Sequence, residues 1–149
     1  MRVWWKRHIR KDSKKNLSLI RRKKKDKMKN LVLIIDDEVA KDLANLLGGC
    51  KIAIAKNKEE ALRKVFLKKP KVISLDNYMP INKYNKIIAP CGNTIARVIK
   101  EYLPEARVLG VSSASNQFNL DYFDKIINKR NLNTKEYKET ILNYLNEKK

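Results

Sequence analysis

At 149 residues the chain has the length of one ordinary domain, and its 43% hydrophobic content is enough to fill one core. Its longest uninterrupted apolar run, Leu31 to Ile35, falls far short of the ~20 residues that span a bilayer, and the basic N-terminus lacks the apolar stretch of a signal peptide. Two cysteines, Cys50 and Cys91, and a single histidine, His8, carry no metal-ligand spacing, which argues against structural zinc and a secreted disulfide framework. A cytoplasmic protein is the expectation.

The net charge of +19 is unevenly spread. Residues 1 to 27 hold 13 Lys/Arg against Asp12 and Asp26, a net +11, and the remainder of the chain carries a net +8. Arg21 to Lys27 is almost wholly basic, and Leu17, Leu19 and Ile20 supply only a short apolar patch. Such a segment reads as a disordered extension. Trp4 and Trp5 also suit stacking on nucleic-acid bases or a membrane surface. Met28-Lys29-Asn30 leads straight into a strand, so an over-extended start is a further reading of residues 1 to 27. The division expected is a basic extension over 1–27 and one domain over 28–149.

From residue 31 strands alternate with helices. Leu31 to Ile35 predicts a strand buried on both faces of a parallel sheet. Val39, Leu43, Leu46 and Leu47 recur at helical spacing, and Gly48-Gly49 stops that helix. Lys51 to Ala55 is a second strand. Ala61, Leu62, Val65 and Phe66 mark a second helix, ended by Lys69-Pro70. Val72 to Leu75 is the third strand, and Ile95, Val98, Ile99, Tyr102 and Leu103 face inward from a third helix. Arg107 to Val111 and Phe123 to Ile127 give the fourth and fifth strands. The last helix starts near Asn133, where Glu136 completes a capping-box pattern, with Tyr137, Ile141, Leu142 and Leu145 inward. Five strands, each followed by a helix or helical turn, predict a doubly wound α/β fold with a five-stranded parallel sheet in flavodoxin-like order 2-1-3-4-5.

In such sheets the working site lies beyond the carboxyl ends of the strands. Strand one ends in Asp36-Asp37-Glu38, strand three in Asp76, strand four in Ser112-Ser113, and strand five near Lys129. Crowded carboxylates stay ionised together only if a cation holds them, and oxygen-only ligands favour a hard ion such as Mg²⁺. A carboxylate can also attack phosphorus to give an aspartyl phosphate, with Lys129 and the Ser112 hydroxyl placed to meet its charge. Taken singly, these residues have plainer uses. Asp36 and Asp37 are suited to capping the next helix, Asp76 to a turn before Pro80, Ser112 to a strand end, and Lys129 has Lys125 as a competitor.

Taken together, "LVLIIDDE" (31–38), "SLDNYMP" (74–80), "VLGVSS" (108–113) and "IINK" (126–129) resemble, in order, the four signatures of response-regulator receiver domains of two-component signalling. The resemblance covers nearly everything after Met28. It implies Asp76 as the phospho-acceptor and Asp36, Asp37, Asp76 and the Tyr78 backbone carbonyl as Mg²⁺ ligands. It implies Ser112 as the switch hydroxyl and Lys129 as the lysine that contacts the phosphoryl group. A histidine kinase or phosphotransfer protein would supply the phosphoryl group, and an unknown downstream protein would read it. Such a protein is a signalling switch that assists its own phosphorylation, not a turnover enzyme.

The sequence departs from the family where that output would be made. Arg130 follows the lysine in place of proline, so the loop is expected to be trans or strained; Ile126 replaces the usual aromatic switch residue. The first helix is about a turn short, the segment from Ile81 to Asn93 is long, and Ser115 to Asp121 leaves room for barely two turns of a fourth helix. With only two residues after Glu147, no output domain is expected to follow. These departures keep two alternatives open: a phosphorylation-independent, receiver-like binding module, and a nucleic-acid-binding protein using residues 1–27. A Mg²⁺-dependent phosphatase or Toprim-type nuclease would also set carboxylates at strand ends, but their Asp-x-Asp motifs are absent.

Overall fold

The computed structural model describes residues 28–147, so the reading of residues 1–27 as a basic extension lies outside the described residues. Seven strands and four helices are described: β1 (Lys29–Ile35), α1 (Ala40–Asn45), β2 (Lys51–Ala55), α2 (Lys58–Lys68), β3 (Pro70–Leu75), β4 (Tyr78–Pro80), β5 (Ile88–Pro90), α3 (Gly92–Tyr102), β6 (Arg107–Ser112), β7 (Lys125–Asn128) and α4 (Thr134–Leu145). Five strands form one parallel sheet in the order β2-β1-β3-β6-β7, which is the expected order once the small β4–β5 hairpin is set aside.

The alternation of β1 explains why helices cover both faces. Leu33 and Ile35 point into a core shared with α2 and α3, beside Val65, Ile95 and Ile99. Val32 and Ile34 point the other way, against Leu43 of α1 and Tyr137 and Ile141 of α4. All four strand residues are fully buried. A strand with no polar face can exist only between two layers, as the unbroken apolar run at 31–35 requires.

Helix ends follow local chemistry. Asn57 caps α2 by accepting from the Glu60 N–H at 2.8 Å, and Asn133 caps α4 by accepting from the Glu136 N–H at 3.0 Å. Helix α2 closes at Lys69 in the left-handed conformation (φ 48°), the helix-ending geometry usually taken by glycine, immediately before Pro70. Helix α1 has six residues, in keeping with the short first helix expected.

Two regions differ from the sequence expectation in extent. The fifth sheet strand starts at Lys125 instead of Phe123. Phe123 packs against Phe118 with ring centroids 4.3 Å apart, and Asp124 turns back to accept from the Val108 N–H at 2.8 Å. The space for a fourth helix holds two 3₁₀ turns, Ser115–Gln117 and Leu120–Tyr122. The long segment after the third strand is built as the antiparallel hairpin β4–β5, with Met79 opposite Ala89. No helix among the described residues is long and apolar enough to cross a membrane.

Candidate functional site

The parallel register sets the site. Ile35 of β1 stands beside Leu75 of β3, so the next residues, Asp36 and Asp76, leave the sheet side by side. One further backbone bond holds each of them to the sheet. The Asp36 N–H donates to the Ala55 carbonyl at 3.0 Å, and the Asp76 N–H donates to the Ile35 carbonyl at 2.9 Å. Both side chains are buried. Asp36, Asp37 and Asp76 each bring a carboxylate oxygen to within 4.8 Å of the other two.

Lys129 closes this cluster from the end of β7. Its ammonium donates to Asp76 Oδ2 at 2.9 Å and makes a charge contact with Asp36 Oδ2 at 2.8 Å. The competitor Lys125 points to the α4 side, with its ammonium 3.7 Å from Glu136. All described peptide bonds are trans, Lys129–Arg130 included. The chain leaves β7 through a 3₁₀ turn, Lys129–Asn131, capped by the Asn128 side chain accepting from the Arg130 N–H at 2.9 Å.

One lysine does not balance three carboxylates. Burial, together with the charges of Glu38, Asp36 and Asp76, pushes the Asp37 carboxyl above its usual range. Burial also raises Asp76, with the Asp36 charge adding to it, although the Lys129 ammonium pulls the other way. Burial disfavours the Lys129 ammonium, but its two carboxylate partners outweigh that and raise it overall. Helix α1 has no side-chain cap, so the helix-capping use open to Asp36 is not taken up; its carboxylate closes the turn before the helix instead. Its Oδ1 accepts from the Glu38 and Val39 N–H groups at 2.8 and 3.0 Å. Its Oδ2 is buried with the Lys129 ammonium beside it at 2.8 Å, and the buried Oδ1 of Asp37 accepts no hydrogen bond. A buried acceptor without a donor, beside excess negative charge, suits a cation, and a set made only of carboxylate oxygens suits a hard divalent ion such as Mg²⁺.

The other two expected residues sit on the same rim. Ser112 ends β6, buried, with its Oγ accepting from the Ala114 N–H at 3.1 Å. Tyr78 opens β4, two residues after Asp76, and its phenol donates to the Gln117 side chain. Ile126 is half-buried; aromatic mass beside β6 comes instead from Phe118 and Phe123, which lie where a Cβ on Gly110 would be, at 2.9 and 3.0 Å.

Sequence reasoning missed Asn77. It is 1% exposed, and its N–H donates to Asp76 Oδ1 at 2.7 Å. Its carbonyl accepts from the Cys91 and Gly92 N–H groups, and its side-chain oxygen also accepts from Gly92 at 3.1 Å. Asn77 thereby ties the Asp76 carboxylate to the start of α3. Gly92 carries the one available signal: a Cβ there would stand 2.8 Å from Asn77 Oδ1 and 3.0 Å from its Cα. A second buried pair lies beneath the rim, where the Tyr137 hydroxyl donates to Ser74 Oγ at 2.8 Å.

No protein-family model matches the chain, and no curated protein matches it. Solved structures do match. A CheY-like response-regulator receiver domain protein from Methanospirillum hungatei JF-1 superposes with a TM-score of 0.64 at 20% identity, covering 77% of this chain and 92% of that one. The receiver domain of NtrX from Brucella abortus gives 0.63 at 20% identity, covering 76% and 97%. A BeF3-activated DrrB receiver domain gives 0.62 at 18% identity, covering 78% and 97%. These likenesses, the β2-β1-β3-β6-β7 order and the acidic rim agree on one fold, that of the response-regulator receiver domain.

Proposed function

We propose that the chain is a phospho-accepting receiver of a two-component signalling system, with Asp76 as the acceptor and protein contacts as the output. The observation that carries this reading is the meeting of Asp36, Asp37, Asp76 and Lys129 at one end of the sheet from strands far apart in sequence.

Each residue then has a defined task. An Asp76 carboxylate oxygen attacks the phosphorus of a donor, a histidine kinase or phosphotransfer protein, and the bond from phosphorus to the donor breaks with its electron pair. Asn77 holds the other carboxylate oxygen through its N–H, which fixes the direction of the attacking one. Lys129, already 2.9 Å from Asp76, offsets the charge that gathers on the phosphoryl oxygens. Asp36, Asp37 and Asp76, with the Tyr78 carbonyl, would hold Mg²⁺. When bound, that ion neutralises the carboxylate cluster and the incoming phosphoryl oxygens. The Ser112 hydroxyl would leave Ala114 to meet the new phosphoryl group, which gives the switch a moving part. The protein is a signalling switch acting in the cytoplasm, and its acceptor turns over only as the phosphoryl group is gained and lost.

A phosphorylation-independent binding module is the second reading, favoured by the two 3₁₀ turns that stand in place of a fourth helix. A beryllofluoride titration followed by amide NMR separates the two. A switch shows Mg²⁺-dependent shifts at Asp76, Ser112 and Lys129 that saturate and vanish in Asp76→Asn. A binding module shows none, and the proposal fails.

A further inference from the structure

The hairpin β4–β5 leaves the sheet directly after Asp76 and ends in an exposed tip. Tyr84 is 83% exposed, Ile87 73% and Ile88 49%, three of the five most exposed large apolar side chains among the described residues. Lys83 and Lys86 stand among them, and the Lys83 ammonium lies 4.9 Å from the Tyr84 ring centroid. No acidic residue occurs between Asp76 and Glu101, while that stretch holds Lys83, Lys86, Arg97 and Lys100.

The tip has a set shape. Asn82 Oδ1 accepts from the Tyr84 and Asn85 N–H groups at 2.9 and 2.8 Å, and Asn85 Oδ1 accepts from the Ile87 N–H at 3.2 Å. Its stem is anchored by fully buried Met79 and by the Ile81 carbonyl, which accepts from the Glu59 N–H at 2.9 Å. A loop built this way loses little freedom on binding, which favours affinity. Apolar side chains ringed by lysine and held out in water are the composition of an interaction site.

We propose that the tip of this hairpin, Lys83 to Ile88, is a docking surface for an acidic protein segment that presents bulky apolar side chains. Charge selects this occupant. A second copy would set two cationic tips together on domains that each carry a net +8 outside residues 1–27. The tip carries two cations, Lys83 and Lys86, fewer than the roughly four to eight clustered Lys/Arg that mark a site for anionic lipid, and two suffice for one short acidic segment. Strand addition is disfavoured because Pro80 and Pro90 deprive β4 and β5 of donors, so recognition falls to side chains. The site does not require Asp76 to carry phosphate and stands whether or not the proposed switching occurs.

The test pans a random-peptide display library against the full-length chain and measures the enriched peptides by fluorescence anisotropy. Peptides pairing Asp or Glu with Leu, Phe or Trp should emerge, and they should lose affinity about tenfold or more against Tyr84→Ser/Ile87→Ser and against Lys83→Gln/Lys86→Gln. The lysine pair alters no apolar side chain, and unchanged melting of both variants certifies the fold. Peptides that bind both variants as tightly as the parent would reveal capture by other basic residues and overturn the proposal. So would a failure of any peptide to enrich. Hairpin-dependent binding to phosphatidylserine vesicles instead of peptides, or a hairpin-dependent dimer by analytical ultracentrifugation, would replace the protein partner with a lipid surface or a second copy.

Discussion

Lys129→Ala tests whether charge compensation holds the rim together. The substitution leaves Asp36 and Asp76, 1% and 4% exposed, without the ammonium that now lies 2.8 and 2.9 Å from their oxygens. Removing one partner of a buried ion pair costs about 3–5 kcal/mol. The loss has a ceiling, because a carboxyl can take up a proton: at pH 7, about three pH units above its ordinary range, that costs about 4 kcal/mol. The 18% exposure of the lysine lets water recover part of the charge stabilisation, so a loss of about 2–4 kcal/mol is expected at pH 7 without metal. For a domain of this size that lowers Tm by roughly 8–15 °C. The pH dependence carries the sign. Asp37 and Asp76 already have raised folded-state pKa values, and removing the ammonium raises Asp76 further. Ionisation therefore works against the fold. The extra instability is absent at low pH and grows as pH rises through the folded-state values, so the gap from the parent should close towards roughly pH 4. Mg²⁺ should restore much of the stability at pH 7. Denaturant melts across pH, with and without Mg²⁺, measure all three effects. A loss below about 1 kcal/mol at pH 7, or one equally large at pH 4, would refute this account of Lys129.

Asp76→Asn should raise metal-free stability by about 1 kcal/mol, because it removes an ionised carboxylate from a crowded cluster, and should weaken the Mg²⁺-induced rise in Tm. Thermal melts against Mg²⁺ concentration check both. Gly92→Ala drives a Cβ to 2.8 Å from Asn77 Oδ1 and 3.0 Å from the Asn77 backbone, so a loss of about 1–3 kcal/mol in denaturant melts is expected. Asp124 behaves oppositely to the rim. Burial disfavours its charge, but bonds from Lys100, the Val108 N–H and Arg107 prevail and hold its pKa below the usual range. Its contribution is thus full above roughly pH 4 and is lost as pH falls through the depressed folded-state value. Asp124→Asn should cost about 1–2 kcal/mol at pH 7 and progressively less in acid, as urea titrations would show.

How much of this was legible in the sequence depended on whether a feature was written locally. The run 31–35 has no polar face, so burial between two layers followed from it, and with it the emergence of Asp36 at the sheet end. Val72–Leu75 is apolar except for Ser74, which is buried against the Tyr137 hydroxyl, and it brings Asp76 out at the sheet end in the same way. Only its register after Ile126 and Ile127 sets Lys129 apart from Lys125 in the sequence; that Lys125 is drawn away by Glu136 on the following helix shows only in the packing. The hairpin was unreadable because its strands have three residues each and both contain proline, so no alternation marks them. Asn77 reads as an ordinary turn residue beside an aspartate. Its role depends on Gly92, fifteen residues away, and on the 3₁₀ segment that brings Phe118 over the same glycine.

The chemistry of Asp76 is the most direct test of the proposed switch. The full-length protein is incubated with acetyl phosphate and Mg²⁺, trapped in acid and mapped by peptide mass spectrometry. One base-labile acyl phosphate is expected on Asp76, dependent on Mg²⁺, absent in Asp76→Asn and reduced in Asp37→Ala. A phosphoryl group on another residue, or none on a protein whose fold is intact, would contradict it.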